Sequence, residues 1–517
     1  MAQRRIVIVG GGTAGWLTAA YLAKRLRAAE PDGCAITLIE SPDIGTIGVG
    51  EGTFPTIRAT LASLGVDEAR FLRESAATFK QGVRFHNWAK AQADGGDDYF
   101  HPFNLPYREP GLDLSAHWLK SDKSRPFADA MTMQGAVIRA GLAPKRAGDP
   151  DFEGPMNYAY HFDAVRFAGF LRQVSKGLGV THLIGDVNAV LQDEQGDIAA
   201  VESTEHGRLD ADLFIDCTGF RALLIGKTLG SNFCPCDDVL FNDRALAIQV
   251  PYAEPDAPIA PYTIATAHEA GWTWDIGLDS RRGVGYVFSS RHSDEGRAEQ
   301  VLRAYVGAQG EGINARLLKF QSGYRERQWI GNCVAVGLSA GFFEPLESTG
   351  IMLIEVAAAL IADFFPTGDR GAMAAAARSF NSQMLARFER IQDFLKLHYC
   401  VSGRRDTAYW RDQTDPATIP LSLQDRLAQW RLRPVSAFDF VTDLETFLPA
   451  SYEYILYGMG FRAETGSWTG RHRNDAAAAR AFGKVELAST EAVKHLPSHR
   501  QLLALYHARA QTGRPAI

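Results

Sequence analysis

A chain of 517 residues, 46% hydrophobic and 22% charged, has the make-up of a soluble globular protein, with room for about three domain-sized units or one elaborated fold. Its formal net charge of −6 gives no global basic field, which argues against nucleic acid as a partner. The long apolar segment 351–365 carries Glu355 and Asp363 and is too short for a bilayer, so it reads as a buried helix and no membrane partner is expected.

The first element is the apolar, β-prone run Arg5–Val9, followed by Gly10-Gly11-Gly12-Thr13-Ala14-Gly15 in the spacing G-x-G-x-x-G. Trp16 to Leu26 is rich in alanine and leucine and predicts a helix, and Ala35 to Ile39 predicts a second strand ending at Glu40. In that frame Gly10 permits a tight turn, Gly12 lets the backbone approach a pyrophosphate and Gly15 lets helix pack on strand. Helix N-terminal amides, those of Thr13 and Ala14 included, then face phosphate charge. Glu40 can accept hydrogen bonds from a ribose, and an acid there favours FAD or NAD over NADP.

The glycine-rich loop 47–53, with Gly48, Gly50 and Glu51, is a candidate flap over the cofactor. Ala69, Leu72, Ala76 and Phe79 recur at helical spacing and predict a helix from Glu68 to Phe79, with Lys80 at or just past its end and a strand from Val83 to Trp88. His101 and Phe103 share a face if extended. His161-Phe162-Asp163 opens a predicted helix to Leu171 with Asp163 as N-cap. Ala211 to Gly219 and Asn332 to Gly337 each predict a strand running into a glycine turn. Trp272 and Trp274 alternate on a predicted strand and so share a face. Six cysteines are scattered, and only Cys234-Pro235-Cys236 is close-set, so no metal site is expected and reduced thiols in the cytoplasm are the default.

The two later strand-glycine segments resemble the distal FAD motifs of flavin monooxygenases. There is no second G-x-G-x-x-G unit for NAD(P)H, so reducing equivalents are expected from outside, as reduced flavin. The expected class is α/β: a Rossmann-like FAD-binding module over 1–378, with substrate-facing segments inserted at about 80–160, and a mostly helical substrate module over 379–517.

Over most of its length the chain resembles the FAD-dependent tryptophan halogenases. The matching pieces are Gly10-x-Gly12-x-x-Gly15, the Gly48-x-Gly50-Glu51 loop, Phe79-Lys80, His101-Pro102-Phe103, His161-Phe162-Asp163, Trp272-Thr273-Trp274-Asp275-Ile276 and Pro345-Leu346-Glu347-Ser348-Thr349-Gly350. Gly277 departs from the family pattern, which has proline there. The resemblance implies an enzyme that uses FADH2, oxygen and a halide to make hypohalous acid, which reaches Lys80 and halogenates an electron-rich ring. Lys80 would polarise the acid as an ammonium or form a haloamine as an amine; the blander reading is a lysine solvating a helix end. Glu347 would orient Lys80 or take the ring proton, against the alternative of an acid favoured by a helix N-terminus.

Thr349 and Gly350 would contact halide through backbone amides, Gly337 and Ser348 are cofactor-side residues, and Ser348, lying between the flavin-side and lysine-side groups, would couple them. Trp272 and Trp274 would keep substrate from the flavin, or simply pack the core; His101, Phe103 and Tyr452 are the other substrate-side candidates. The usual clamp for an amino-acid head group is not identifiable around Tyr452, which favours indole or an indole-like arene over free tryptophan. Competing readings are a free-tryptophan halogenase, an FAD-dependent aromatic hydroxylase, which would not need Lys80, and a non-catalytic flavin-binding protein. The implied partners are a flavin reductase supplying FADH2 by diffusion, a halide and a small aromatic substrate, with a homodimer as the expected assembly.

Overall fold

Four apolar residues in a row, 6–9 of the strand Arg5–Val9, are buried on both faces, as a central parallel strand requires. The computed structural model describes residues 3–43, 45, 50–365, 370–464, 466 and 468–512, without the side chains of 442 and 509–512. Two compact units emerge. One comprises Met1–Ala76, Phe162–Cys236 and Gln321–Phe388; the other comprises Ala77–His161, Asp237–Phe320 and Glu389–Ile517.

In the first unit a six-stranded sheet runs in the order Trp329–Ile330, Cys333–Ala335, Leu213–Asp216, Arg5–Val9, Ala35–Glu40, Thr181–Ile184. Its pairings are parallel except for the edge pair of Trp329–Ile330 with Cys333–Ala335. Val7, Val9, Ile39, Phe214, Cys333 and Ala335 form the core on one face. The helix Thr13–Arg25 packs against the helices Ala164–Gly177 and Thr349–Phe364. Asp163 caps Ala164–Gly177 by accepting from the amides of Val165 and Arg166. His161, expected to open that helix, instead lies on the strand Ala159–Asp163.

The second unit holds a seven-stranded sheet in the order Arg316–Lys319, Arg244–Pro251, Arg281–Phe288, Gly271–Gly277, Thr263–Ala267, Gly82–His86, Asp98–Pro102. Only the pairing of Thr263–Ala267 with Gly82–His86 is parallel. After Glu389 the chain is helical, including Leu421–Leu432, Pro449–Gly458, Asp475–His495 and His499–Thr512. Among the described residues no helix is long and apolar enough to cross a membrane.

The predicted helix from Glu68 to Phe79 is shorter than expected. It covers Glu68–Glu74, Ser75 closes it, and Ala76 at φ 47° turns the chain into the strand Thr78–Lys80. Lys80 is therefore a strand residue. Helical spacing persists past Glu74 only because Phe79 is also needed as a core ring, packing on Tyr158 and Tyr160.

Candidate active site

The glycine turn is built by close approach. Gly10 has φ 113°, and a Cβ there would lie 2.2 Å from the Cys217 carbonyl oxygen. A Cβ on Gly11 would fall 1.6 Å from a Glu40 carboxylate oxygen. Glu40 is thus pressed under the turn at the end of its strand, and its other oxygen lies 2.8 Å from His182 Nε2. Gly12 precedes the helix Thr13–Arg25, and a Cβ on it would meet nothing within 4 Å. The buried Thr13 hydroxyl has no hydrogen-bond partner among the described residues. Open space above helix amides, with an unused hydroxyl beside it, fits the pyrophosphate of FAD.

Ala14 and Gly15 continue the same first turn, and Gly337, at φ 73°, lies against Ala14: a Cβ on Gly337 would be 2.6 Å from the Ala14 Cβ. One unit therefore gathers Gly10, Gly12, Thr13, Ala14, Gly15, Glu40 and Gly337. Gly50 and Glu51 lie on the short strand Gly50–Gly52, and burial pushes the Glu51 carboxyl up to about 7, with the charge of Asp163 adding to it. Gly48 lies outside the described residues.

Asp216 had no separate role in the sequence reading. Its buried carboxylate accepts from the amides of Thr218, Leu224 and Ile225 and from the Thr218 hydroxyl, and so holds the chain after Leu213–Asp216 in a fixed turn. An acid ending a strand directly before Cys-Thr-Gly was the available signal.

At the start of Thr349–Phe364 two consecutive non-glycine residues are left-handed: Glu347 at φ 65° and Ser348 at φ 59°. Each such residue costs about 1–3 kcal/mol, so the geometry persists only if the surroundings enforce it. Glu347 is buried, at 3% exposure. The bend presents the first helical amides, at Thr349 and Gly350, and a Cβ on Gly350 would meet nothing within 4 Å. A helix start of this kind, with room beside Gly350, suits a small anion.

The second unit houses the lysine. Lys80 is wholly buried and pairs with Ala159 across the ladder, next to Phe79 with Tyr160 and Thr78 with His161. Its Nζ stands 5.3 Å from the ring centroid of half-buried Phe103. His161 bonds Thr263 through Nε2 at 2.8 Å; burial, then the Lys80 charge, then His499 hold its pKa well below the ordinary value. The imidazole is therefore neutral and structural.

Trp272 and Trp274 are both buried on one face of the strand Gly271–Gly277, with ring centroids 6.5 Å apart. The ladder puts Trp274 in a row with Ala265, Phe85 and Tyr99, and Phe85 stacks on Tyr99 at 4.9 Å. His101 lies two residues beyond Tyr99 on that face, with its ring 6.0 Å from both Phe394 and Tyr454. Gly277, where the family pattern has proline, keeps strand pairing with Arg282, and its carbonyl accepts from the Thr78 hydroxyl at 2.6 Å. Tyr452 is fully buried among Phe394, Phe440 and Trp430, and its hydroxyl accepts from Arg426 at 3.2 Å. These contacts make Tyr452 a core residue in this unit. Lys80 and Glu347 belong to different units.

The chain thus holds a glycine turn of the nucleotide-binding kind and a buried lysine, and comparison with known proteins shows its family. The sequence model of the tryptophan halogenases matches residues 5–474. Tryptophan 6-halogenase SttH of Streptomyces toxytricini is 38% identical over 477 residues, covering 88% of this chain and 89% of its own. The crystal structure of a tryptophan halogenase from Shewanella frigidimarina is 40% identical, with a TM-score of 0.94, covering 100% of this chain and 99% of its own. A tryptophan C-6 flavin-dependent halogenase (chlorinase) from taromycin biosynthesis is 37% identical, with a TM-score of 0.92 and coverage of 98% and 100%. The chain belongs to the tryptophan halogenase family. It is an enzyme of a flavin-dependent class that works with a halide, an aromatic substrate and a separate flavin reductase.

Proposed function

We propose that this enzyme halogenates an electron-rich arene of the indole class, with Lys80 delivering the halogen. Bound FADH2 supplies, with oxygen and halide, hypohalous acid. The observation that carries the reading is the amine: Lys80 is wholly buried beside a half-buried aromatic ring. Burying that group is costly for folding and useless for binding a nucleotide.

An N–H donated by Lys80 to the hypohalous oxygen draws electrons from the halogen; an uncharged Lys80 would carry the halogen as a haloamine instead. The ring carbon forms its bond to halogen, hydroxide leaves as water, and the ring proton departs to a base. Glu347 is the group we assign to that proton, or to orienting the amine. The amides of Thr349 and Gly350 hold the halide, and Ser348 links the two ends of this sequence. Trp272 and Trp274 wall the arene from the flavin, and His101 and Phe103 contact it.

Indole over free tryptophan is supported by the helix Pro449–Gly458. The Tyr452 hydroxyl meets Arg426 at 3.2 Å, the Tyr454 hydroxyl donates to the Asn104 carbonyl at 2.9 Å, and the Tyr457 hydroxyl accepts from the Val435 amide at 3.4 Å. These hydroxyls are engaged within the unit, not held for an ammonium and a carboxylate. SttH, by contrast, is named for tryptophan. The chlorinase relative supports chloride as a usable halide, with bromide the easier ion to oxidise. A homodimer is the proposed assembly, and sedimentation velocity would read it directly.

The test is mass spectrometry of indole and free tryptophan incubated with enzyme, flavin reductase and either halide. The expected result is a halogen isotope doublet on indole, with kcat/KM at least about tenfold above that for tryptophan, which is a difference of about 1.4 kcal/mol. A preference for free tryptophan overturns the substrate assignment. An oxygenated, halogen-free product returns the aromatic hydroxylase.

A further inference from the structure

Among the described residues, the strand that carries Lys80, Thr78–Lys80, is bonded to a strand on one side only, by Ala159–Asp163. Its other edge needs partners for its outward backbone groups, because a buried amide without one is costly. Three contacts supply them. The Phe79 amide donates to His499 Nε2 at 3.0 Å. The Gln81 amide donates to the Pro261 carbonyl at 2.8 Å, and the Gln81 carbonyl accepts from the Phe103 amide at 3.1 Å. Lys80 therefore sits between two residues whose free edge is tied down.

The His499 contact is the unusual one, because a side chain takes the place of a strand. His499 is 1% exposed and opens the helix His499–Thr512. Its other nitrogen, Nδ1, lies 3.0 Å from the Ile259 carbonyl. A carbonyl only accepts, so Nδ1 carries the proton and Nε2 is left as the acceptor that the Phe79 amide requires. Ile259 and Pro261 belong to one connector, so His499 and Pro261 fasten the lysine strand to the same piece of backbone. Phe79 completes the fit, with its ring 5.9 Å from the imidazole.

We propose that His499 is a positioning residue for Lys80: a neutral imidazole that acts as a surrogate strand and fixes the backbone from which the amine is presented. This rests on the assignment of halogen delivery to Lys80. The role is specific to one nitrogen. In His499→Gln the side-chain oxygen reaches the Nε2 position and still accepts from Phe79, while the Ile259 bond is lost. In His499→Asn the amide nitrogen reaches the Nδ1 position and keeps Ile259, while the Phe79 acceptor is lost.

The experiment compares both variants and Lys80→Ala with wild type, each supplied with FADH2, oxygen, bromide and indole. Two yields are measured per FADH2 consumed: haloindole, and hypohalous acid caught by a diffusible trap. Amide hydrogen exchange of the peptide spanning Phe79 is followed on the enzyme without flavin. His499→Asn is expected to lose haloindole at least tenfold with trapped oxidant rising, kcat falling more than KM changes, and the Phe79 amide exchanging faster. His499→Gln is expected to stay within about threefold of wild type in all three. Equal damage in the two variants, including failure of both to fold, overturns the proposal; so does wild-type haloindole yield from His499→Asn. If Lys80→Ala still makes haloindole, it is the delivery role of Lys80 that fails, and the two failures are told apart.

Discussion

A lysine at zero exposure is a demanding choice for a folding chain, because an ammonium leaving water costs several kcal/mol before any partner is counted. A cation–π contact such as that of Lys80 over Phe103 returns about 0.5–2 kcal/mol. Gly10 illustrates the opposite kind of constraint, a residue that is essential because it has no side chain. Gly10→Ala would drive a methyl against the Cys217 carbonyl at φ 113°, and we expect a loss of about 1–3 kcal/mol in stability together with at least tenfold weaker FAD binding. Thermal melting and flavin fluorescence quenching would read the two; unchanged flavin affinity would remove the glycine turn from the cofactor site.

The element scale is where local pattern and tertiary demand part company. The nucleotide turn was legible because strand, glycines, helix and terminal acid are contiguous in Arg5–Glu40, so each supports the others. The segment Glu68–Lys80 was not, because Ala76 at φ 47° breaks a helical pattern without glycine or proline to announce it. The left-handed pair Glu347–Ser348 was equally silent in the sequence: neither residue type signals positive φ.

Within the first unit, Glu355 of the helix Thr349–Phe364 accepts from the hydroxyls of Thr56, at 2.8 Å, and Thr60, at 2.5 Å, joining that helix to Thr56–Ser63. Burial raises its carboxyl to about 7 from 4.5, the two hydroxyls opposing. The unfolded chain therefore ionises first as pH rises, and stability is lost between 4.5 and 7 and flat above. Wild type should lose on the order of 3 kcal/mol relative to Glu355→Gln across that window, read by urea denaturation at stepped pH. A pH-independent difference would place the carboxylate in water.

For the whole molecule, the division into units is discontinuous in sequence, each being assembled from three separate stretches. That explains why the extent of the second unit was hard to foresee. Its helical part after Glu389 follows from composition, but the sheet strands of 237–320 join it only through long-range pairing such as that of Thr263–Ala267 with Gly82–His86. His499 is the extreme case: its partner Phe79 is 420 positions away, and no local pattern marks a histidine as a strand surrogate.

The second unit also keeps His268 and His499 neutral, burial lowering each from 6.5 to about 4. The unfolded chain takes up protons that the folded chain refuses between those values, so stability falls as pH drops through 6.5 toward 4. For His499 alone the loss is on the order of 3 kcal/mol, and the stability advantage of wild type over His499→Gln should shrink by that amount in denaturant titrations. An advantage that holds steady down to pH 4 would mean the imidazole is charged in the fold.

The proposed halogenation separates two events: oxidised halogen is made at one place and transferred from an amine at another. Its most direct test is a paired yield from Lys80→Ala: haloarene by mass spectrometry and hypohalous acid by chemical trapping, each per FADH2 consumed. Trapped oxidant is expected at or above the wild-type level and haloarene lower by a factor on the order of 10² or more. Haloarene formed at the wild-type rate, or oxidant lost in step with product, would contradict it.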